Sequence, residues 1–303
     1  MAGRTDKDYL IMRTVSNTEI TSYNMCKRQH YYRFERRIEP TKRTLSPALY
    51  RGIVGHDALA AYYEAYRDKE SVDSCKEAAF EVIQKEMGSL NFPDDFERVH
   101  ILTDLKNRID AYAEHYRTDS FIVHEVETVH KARLFKDMAY GLKLDLLIEL
   151  TSGEFKGDLI VMDHKFVYNF KTDKELNMDG QLPKYIMALR VNGIVVTKAI
   201  FNQIRYRSIK DAQPKDLYNR TWARTSLTQR TTIWSEQVDT ATEILNRGLS
   251  PLYTPRTMSV LTCRSCYFEP ICNTELHGGD VTHLIATQYQ PTTYGYTDLQ
   301  GDS

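Results

Sequence analysis

Residues 139–167, which read AYGLKLDLLIELTSGEFKGDLIVMDHKFV, carry the clearest strand pattern in the sequence. Two runs rich in apolar and branched residues, 139–150 and 158–167, stand on either side of the turn residues Thr151-Ser152-Gly153. Short runs of this kind, separated by turn residues, are typical of consecutive β-strands. Residues 121–135 show the same pattern immediately upstream, so the sequence predicts three strands in succession.

Helices are predicted on both sides of these strands. Ser16 and Glu19 stand at the S-x-x-E spacing of a capping box, which predicts a helix from Ser16 to about Arg37. The other predicted elements are helices at about 52–69, 73–88, 95–117, 180–191 and 224–247, and a strand at 198–207. This order predicts a mixed α/β fold in which a small central sheet with a crossover helix is flanked by further helices.

Two acidic residues interrupt the apolar strands, Asp145 in the second and Asp163 in the third. A carboxylate in a half-buried strand loses hydration, which hydrogen bonds, a cation or a shifted pKa must offset. Lys165 follows Asp163 by two positions, so both side chains lie on the same face of the strand. Two acids and a lysine arranged in this way suit a hard divalent cation such as Mg²⁺. Two strand-end acids in ordinary salt bridges are an equally good interpretation of these three residues alone.

Three other features carry groups that such a site uses. His56, near the start of a predicted helix, offers an imidazole ligand for Mg²⁺ or Mn²⁺, although a histidine there also suits ordinary helix packing. Glu125 and Glu127 lie on the strand before Asp145, and the sequence favours Glu127 only slightly. Gln181 and Tyr185, four residues apart on one helical face, suit phosphate or DNA-end binding as well as capping and packing.

Cysteine spacing is an independent signal. Cys263, Cys266 and Cys272 bring three thiols within ten residues, a strong metal-binding pattern. A closed site needs a fourth ligand, and Cys26 is the better candidate because Cys75 falls on an apolar helical stripe. Four cysteines suit a structural Zn²⁺ or an iron-sulfur cluster, and ligand identity alone leaves both open.

Composition limits how the protein binds a partner. The 40 basic and 41 acidic residues nearly cancel, so affinity for nucleic acid must come from local patches. Two such patches are residues 27–51, with eight basic residues against two acidic, and 205–230, with seven against two. No apolar run reaches the ~18 residues of a membrane-spanning helix, so the sequence predicts a soluble cytoplasmic protein without a membrane partner.

The last segment, residues 273–303, contains no Lys or Arg and four acidic residues among many Thr, Gly and Gln, which predicts a flexible acidic tail. The sequence before this segment predicts a single domain over residues 14–272. Within that domain, residues 51–117 are predicted to form an added helical region.

Taken together, these motifs resemble the RecB/AddB-type branch of the PD-(D/E)XK nucleases, especially the small iron-sulfur nucleases of CRISPR adaptation and their phage-encoded relatives. The resemblance runs from Thr14 to Cys272, and its parts occur in the family's order. Lys27 follows Cys26 where the family commonly has proline, and Phe166 follows Lys165 where it often has threonine. The matching motifs are Ser16 to Cys26 continuing into Tyr31-Tyr32, Gly55-His56, Gly141 to Asp145, Asp163 to Lys165, Gln181 to Tyr185, and the three C-terminal cysteines.

The resemblance implies a restriction-endonuclease-like sheet and a role for each matching residue. The implied ligands of Mg²⁺ or Mn²⁺ are His56, Glu127, Asp145, Asp163 and the carbonyl of His164. Lys165 would activate water, and Gln181 and Tyr185 would position DNA. A [4Fe-4S] cluster, with Zn²⁺ as the alternative, would join the N- and C-terminal segments through Cys26, Cys263, Cys266 and Cys272.

The implied activity is hydrolysis of DNA phosphodiesters, as an exonuclease on single-stranded or frayed ends during recombination, repair or processing. Recombination or replication proteins are the expected partners, and a phage origin would place the protein in the host cytoplasm. Two alternatives stay open: a structure-specific endonuclease on the same core, and a non-catalytic zinc-containing DNA-binding protein.

Overall fold

A computed structural model describes residues 13–42, 46–89, 92, 94–247 and 254–292. Within these residues the chain forms two compact units, each assembled from separate stretches of sequence. The first unit takes its described residues from 13–42, 129–142, 231–247 and 254–292. The second takes them from 46–89, 92, 94–128 and 143–230.

The described residues form both strands and helices. The strands are β1 (Arg13–Ser16), β2 (Ile38–Pro40), β3 (Phe121–Phe135), β4 (Met138–Leu150), β5 (Leu159–Val167), β6 (Val196–Arg205), β7 (Tyr218–Trp222) and β8 (Tyr289–Pro291). The helices are α1 (Asn17–Met25), α2 (Lys27–His30), a π-helical turn (Tyr31–Glu35), α3 (Pro47–Arg67), α4 (Val72–Ser89), α5 (Asp95–His115), α6 (Asp173–Asn177), α7 (Gln181–Val191), α8 (Pro214–Leu217), α9 (Leu227–Arg247), α10 (Val260–Arg264), α11 (Glu269–Leu276) and α12 (Thr282–Gln288).

The main sheet has the order β1-β4-β5-β6-β7, and β3 also pairs with β4. β1 runs parallel to β4 and β5 parallel to β6, whereas β4–β5 and β6–β7 are antiparallel. Helix α7 makes the crossover that joins the parallel strands β5 and β6. The predicted mixed α/β fold with a central sheet and flanking helices is therefore confirmed, in agreement with the restriction-endonuclease-like class.

In the second unit, helices α3, α4 and α5 share one apolar core with the sheet. N-terminal capping fixes where α3 and α5 begin. The Ser46 hydroxyl accepts a hydrogen bond from the Leu49 amide, and the Asp94 carboxylate accepts one from the Glu97 amide at 2.7 Å. Cys75 is fully buried in this core, as its place on an apolar helical stripe predicted. The predicted strands 121–135, 139–150 and 158–167 correspond to β3, β4 and β5 within one residue at each end.

The predicted helix from Ser16 to Arg37 is interrupted at Cys26. The Ser16 hydroxyl does cap α1 by accepting the Glu19 amide at 3.1 Å. Cys26, however, adopts an extended conformation with φ −160° and ψ 114°, so α1 ends before it and α2 begins after it. The apolar spacing is the same with or without this single extended residue, and periodicity alone therefore missed the break.

The C-terminal region also differs from the prediction of a flexible tail after residue 272. Residues 273–291 contain the end of α11, then α12 and β8, and β8 pairs antiparallel with β2. Phe268, Ile271 and Tyr289 pack in one apolar cluster with Tyr31 and Tyr32 of the first unit. This polar, lysine-free sequence is thus organised by contacts with a distant segment, which local composition does not reveal. Residues 293–303 lie outside the described residues.

Strand β7 was also absent from the prediction. Its five residues, YNRTW, are mostly polar, and its pairing with β6 arises only in the folded sheet. None of the helices among the described residues combines the length and the apolar character that crossing a lipid bilayer requires.

Candidate active site and cysteine cavity

The candidate active site lies in the second unit, where Asp163 and Lys165 share one face of β5. Lys165 Nζ lies 2.8 Å from Asp163 Oδ2 and 3.1 Å from Asp163 Oδ1. The Asp163 side chain is almost completely buried, and this burial raises the pKa of its carboxyl group to about 6 despite the lysine. The Asp163 carboxyl group is therefore easier to protonate than a free aspartate, and a further positive charge beside it would favour the ionised form.

His56, Glu127 and Asp145 meet beside this pair. One imidazole nitrogen and one oxygen of each carboxylate all lie within 4.8 Å of one another. His56 projects from α3, and its Nδ1 is 3.4 Å from Asp145 Oδ2 on β4. Of the two glutamates between which the sequence did not decide firmly, it is Glu127 that joins this group.

Glu127 reaches the group through an unusual backbone conformation. Its φ of 48° lies in the left-handed region, which costs a residue with a side chain roughly 1–3 kcal/mol. Such a residue interrupts the regular alternation of β3, and its carboxylate also forms an ion pair with Lys143. Non-glycine residues with positive φ cluster at functional sites, so the strain at Glu127 supports a role in this one.

The backbone of His164 holds Asp145 in place. The His164 amide donates to Asp145 Oδ2 at 2.7 Å. Burial raises the pKa of Asp145, but the charge of His56 and the His164 amide outweigh it, and the pKa falls to about 2. Burial alone would lower the pKa of the His56 imidazole, but the charge of Asp145 outweighs it, so the pKa is raised overall. The role predicted for the His164 carbonyl stays a prediction.

Gln181, at the start of helix α7, forms hydrogen bonds with both Lys165 and Asp163. Its Oε1 accepts a hydrogen bond from Lys165 Nζ at 3.1 Å, and its Nε2 donates to the Tyr185 hydroxyl at 2.8 Å and more weakly to Asp163 Oδ1 at 3.3 Å. Burial lowers the pKa of Lys165, but the Asp163 carboxylate more than compensates, so the pKa is raised overall. Gln181 and Tyr185, predicted to contact DNA, therefore also position Lys165.

These groups fit a hard divalent cation. Carboxylate oxygens with one imidazole are ligands that Mg²⁺ and Mn²⁺ accept, and the spacing of His56, Glu127 and Asp145 allows these three to contact a common ion. Asp163 lies beside this group and is not one of its three members. The raised pKa of Asp163 and the strained backbone of Glu127 are both costs that a bound cation would offset.

Gly55 explains how His56 comes to face the two strands. A Cβ atom at Gly55 would lie 2.3 Å from the Phe166 ring, so α3 approaches β5 closely only because this residue has no side chain. The centroids of the His56 and Phe166 rings are 6.0 Å apart. Phe166, the residue after Lys165, therefore packs directly against the helix that carries His56.

A buried polar network behind β5 was missed by the sequence analysis. The His164 ring stacks on Tyr63, with centroids 5.6 Å apart, and accepts a 2.8 Å hydrogen bond from the fully buried Asn202. Asn202 also donates to the Tyr112 hydroxyl, and Arg220 donates to Tyr63. Asn202 stands within the apolar run of β6, and it could have indicated this network from the sequence because a buried amide needs hydrogen-bond partners.

The cysteines of the C-terminal trio lie with Cys26 in the first unit. Cys26, Cys263, Cys266 and Cys272 line one cavity of about 190 Å³, hereafter the cysteine cavity. All four are free thiols, and Cys75 lies instead in the core of the second unit. Of the two candidates for a fourth ligand, Cys26 is thus the one that shares a cavity with the trio.

Positive and polar groups surround the cysteine cavity. Arg256 Nε donates to Cys272 Sγ at 3.1 Å, and the Thr257 amide donates to Cys26 Sγ at 3.5 Å. Burial raises the pKa of the Cys266 and Cys272 thiols. A positive group bound among them would favour the thiolate forms, so the donor set suits Zn²⁺ or an iron-sulfur cluster.

Comparison with known proteins gives one family match. The sequence model of the PD-(D/E)XK nuclease superfamily matches residues 14–273. No curated protein matches the chain significantly. Among solved structures, the crystal structure of SSO0001 is similar at 15% identity and a TM-score of 0.36, with 89% of this chain and 88% of that chain covered.

Proposed function

Since the chain belongs to the PD-(D/E)XK nuclease superfamily, we propose that it is a Mg²⁺- or Mn²⁺-dependent deoxyribonuclease. The observation that carries this proposal is the meeting of His56, Glu127 and Asp145 beside the Asp163–Lys165 pair. The superfamily identifies a nuclease of the hydrolase class, and this geometry supports metal dependence. The proposed domain covers residues 14–272, with 51–117 as a helical addition.

The proposed metal ligands are His56, Glu127, Asp145 and Asp163, with the carbonyl of His164. When bound there, a divalent cation would lower the pKa of a coordinated water and offset negative charge on the scissile phosphate. The protein's own contribution is to hold the carboxylates at fixed positions, through the His164 amide for Asp145 and through Lys165 and Gln181 for Asp163.

Lys165 acts as a hydrogen-bond donor in this mechanism. Because its pKa is raised, the ammonium group remains protonated at neutral pH. A protonated lysine orients the attacking water and neutralises charge on a phosphate oxygen. Gln181 fixes the direction of that ammonium group, and Tyr185 fixes Gln181.

We further propose that the enzyme is an exonuclease on single-stranded or frayed DNA, acting in recombination, repair or processing in the cytoplasm. The resemblance to small iron-sulfur nucleases supports the preference for ends, and recombination or replication proteins are the proposed partners. A structure-specific endonuclease would cleave a circular single strand, whereas an exonuclease degrades only its linear counterpart. Comparing both substrates, with end label on the linear one, separates the two activities.

The cysteine cavity is proposed to hold a [4Fe-4S] cluster that ties the N-terminal segment to the C-terminal one. Its support is that Cys26 shares a cavity with three cysteines that begin 237 positions later in the sequence. Closing so long a loop has a large entropic cost in the absence of a cross-link. Visible absorbance of purified protein, with iron and zinc analysis, distinguishes a cluster from structural Zn²⁺.

The central test of the proposed activity is Asp163→Ala. We expect cleavage to fall by roughly 1000-fold, because a metal ligand contributes several kcal/mol and each 1.36 kcal/mol changes the rate tenfold. DNA binding should stay within a few-fold, since Asp163 serves the metal and not phosphate affinity. The matched control is Asp158→Ala, which removes an acid just before β5 whose partner is Lys198. Cleavage by Asp163→Ala close to that of Asp158→Ala would remove Asp163 from the site.

A further inference from the structure

Two loops leave the sheet side by side next to the candidate active site. β5 and β6 are parallel, so residues 168–171 and 206–207 both follow the carboxyl ends of their strands at the same edge. The Tyr206 amide donates to the Val167 carbonyl at 3.0 Å, and the Lys171 amide donates to Gln203 Oε1 at 2.8 Å. These bonds hold the two loops against each other.

Aromatic rings and arginines alternate across the paired loops. Tyr168 and Tyr206 contact each other with ring centroids 5.8 Å apart, and the guanidinium of Arg207 lies 5.6 Å from the Tyr168 ring. Arg205 lies 3.9 Å from the ring of Phe170. Tyr168 is 56% exposed and Arg207 is also exposed. We call this group, Tyr168, Phe170, Arg205, Tyr206 and Arg207, the tyrosine-arginine surface.

The tyrosine-arginine surface is connected to the catalytic groups by two routes. Tyr168 follows Lys165 by three residues, which along an extended chain is about 10 Å. Lys171 Nζ lies 3.8 Å from Asp179 Oδ2, and Asp179 Oδ1 accepts the amide of Gln181 at 2.9 Å. The loop that carries Tyr168 and Phe170 is thus linked, through Lys171 and Asp179, to the start of the helix that holds Gln181.

We propose that the tyrosine-arginine surface binds single-stranded DNA and leads it to the active site. Exposed aromatic rings beside guanidinium groups bind single strands because every unpaired base offers a flat face for stacking, while the arginines pair with phosphates. Within a duplex the base faces are already stacked on one another, so an exposed tyrosine has no such partner there. Arg205 and Arg207, which belong to the basic segment 205–230, supply the complementary charge.

This inference rests on the proposed function, since it names the residues that would bind the single-stranded DNA proposed there as substrate. It also gives a role to part of the basic segment 205–230, because two arginines of that segment, Arg205 and Arg207, belong to the surface. Another arginine of the segment, Arg220, is buried in an ion pair with Asp119 at 2.7 Å and is not part of the surface.

The test measures DNA binding separately from cleavage. Fluorescence anisotropy of labelled oligonucleotides, single-stranded and duplex, is recorded with EDTA present so that no substrate is consumed. Tyr168→Ala should weaken single-strand binding about 5- to 100-fold, the range for losing one stacked base. Arg207→Gln should weaken it less and reduce the slope of log K against log salt by roughly 0.7, as expected for one lost phosphate contact.

Matched controls come from α5 of the same unit. Phe96→Ala removes an aromatic side chain that is 83% exposed, and Arg98→Gln removes an exposed arginine paired with Asp95. Neither should change single-strand binding more than about twofold, whereas the Tyr168 and Arg207 variants should. The melting temperature of every variant should equal that of the wild type, because Tyr168 and Arg207 are exposed.

The outcomes separate this inference from the proposed function. Metal-dependent cleavage by the wild type, with Tyr168→Ala and Arg207→Gln binding single strands normally, overturns the inference alone. Loss of single-strand binding in those variants, in a protein that cleaves nothing, supports the inference and overturns the proposed activity. Equal weakening for duplex and single strand, or tighter binding of single-stranded RNA than DNA, contradicts the assignment to single-stranded DNA.

Discussion

The two candidate sites are held together differently. In the active site, the carboxylates of Asp145 and Asp163 accept close bonds from the His164 amide and from Lys165, all within the second unit. In the cysteine cavity, the thiol of Cys26 accepts a 3.5 Å bond from an amide and shares its cavity with residues far along the sequence. The first site is preorganised by close polar contacts, whereas in the second the proposed cluster would add cross-links among the four thiols.

A single substitution should therefore have a different effect in each site. A side chain removed from the preorganised site should change chemistry and leave the fold intact. If the cavity holds the proposed cluster, removal of one of its ligands should weaken the link between the N- and C-terminal segments and thereby destabilise the fold.

The largest expected effect is on the cysteine cavity. Cys26→Ala or Cys263→Ala should give colourless, poorly soluble protein, because structural metal sites contribute on the order of 10 kcal/mol to folding. Cys75→Ala is the matched control: it should keep the colour and lose about 1 kcal/mol of packing in the core of the second unit. Absorbance spectra, iron content and urea unfolding check these results. Loss of colour on changing Cys75, with Cys26 dispensable, would reverse the ligand assignment.

Within the active site, Lys165→Ala and Asp145→Ala should separate chemistry from metal binding. Lys165→Ala should lower the single-turnover rate roughly 100- to 1000-fold while metal affinity stays the same or rises, because the nearby positive charge opposes a cation. Asp145→Ala should weaken Mn²⁺ binding, so that excess Mn²⁺ restores part of the rate. Calorimetric titration of Mn²⁺ and cleavage of a labelled strand measure both quantities. Rescue of Lys165→Ala by Mn²⁺ would instead show that Lys165 mainly holds the carboxylates.

A smaller effect is expected where α3 meets β5. Gly55→Ala should destabilise the protein by about 1–3 kcal/mol, because the new Cβ would overlap the Phe166 ring. It should also weaken Mn²⁺ binding, since His56 is the next residue on the displaced helix. The double variant Gly55→Ala with Phe166→Ala should recover metal binding.

The control for that prediction lies on the same helix. A Cβ at Gly52 has no heavy atom within 4 Å, so Gly52→Ala should be neutral or stabilise the helix by up to ~1 kcal/mol. Urea unfolding measures the stability of the three variants, and Mn²⁺ titration measures their metal affinity. If Gly55→Ala matched Gly52→Ala in both measurements, the contact between Phe166 and α3 would not position His56.

The last expected effect is a pH dependence of stability in the metal-free protein. Burial raises the pKa of Asp163 in the folded state to about 6, from about 3.9 when unfolded. The protonated Asp163 carboxyl group therefore contributes stability that is fully present below pH ~4 and is lost as the pH rises through about 6. Asp145, whose pKa is lowered to about 2, acts in the opposite sense and only in more acidic solution.

We therefore expect the wild type, in EDTA, to lose stability relative to Asp163→Asn between pH 4 and pH 7. The urea midpoints of the two proteins across this range measure the effect. Added Mn²⁺ should remove it, because a bound cation stabilises the ionised carboxylate. A difference between the two midpoints that does not vary with pH would mean that Asp163 is not the buried acid responsible.

Local sequence patterns predicted much of the sheet and part of the site. The strands β3, β4 and β5 followed from apolar runs between turn residues, and the common face of Asp163 and Lys165 followed from the two-residue period of a strand. The burial of Cys75 followed from its place on a helical stripe. These features depend on residues close together in the sequence, so their periodicity is sufficient.

Other features depended on contacts between distant segments. The extended residue Cys26 leaves the apolar spacing of its helix unchanged, and β8 exists only through its pairing with β2. The choice of Glu127 over Glu125 required a positive φ that no periodic pattern predicts.

The amino-acid sequence thus specified the types of the reactive groups and the faces on which the nearest of them lie. The tertiary structure alone decided that His56, Glu127 and Asp145 meet within 4.8 Å, and that Cys26 shares a cavity with the C-terminal cysteines. The physical reason is that side-chain direction follows from local backbone geometry. The meeting of distant side chains instead depends on strand register, on helix packing such as that of Gly55 against Phe166, and on backbone strain that the whole fold supports.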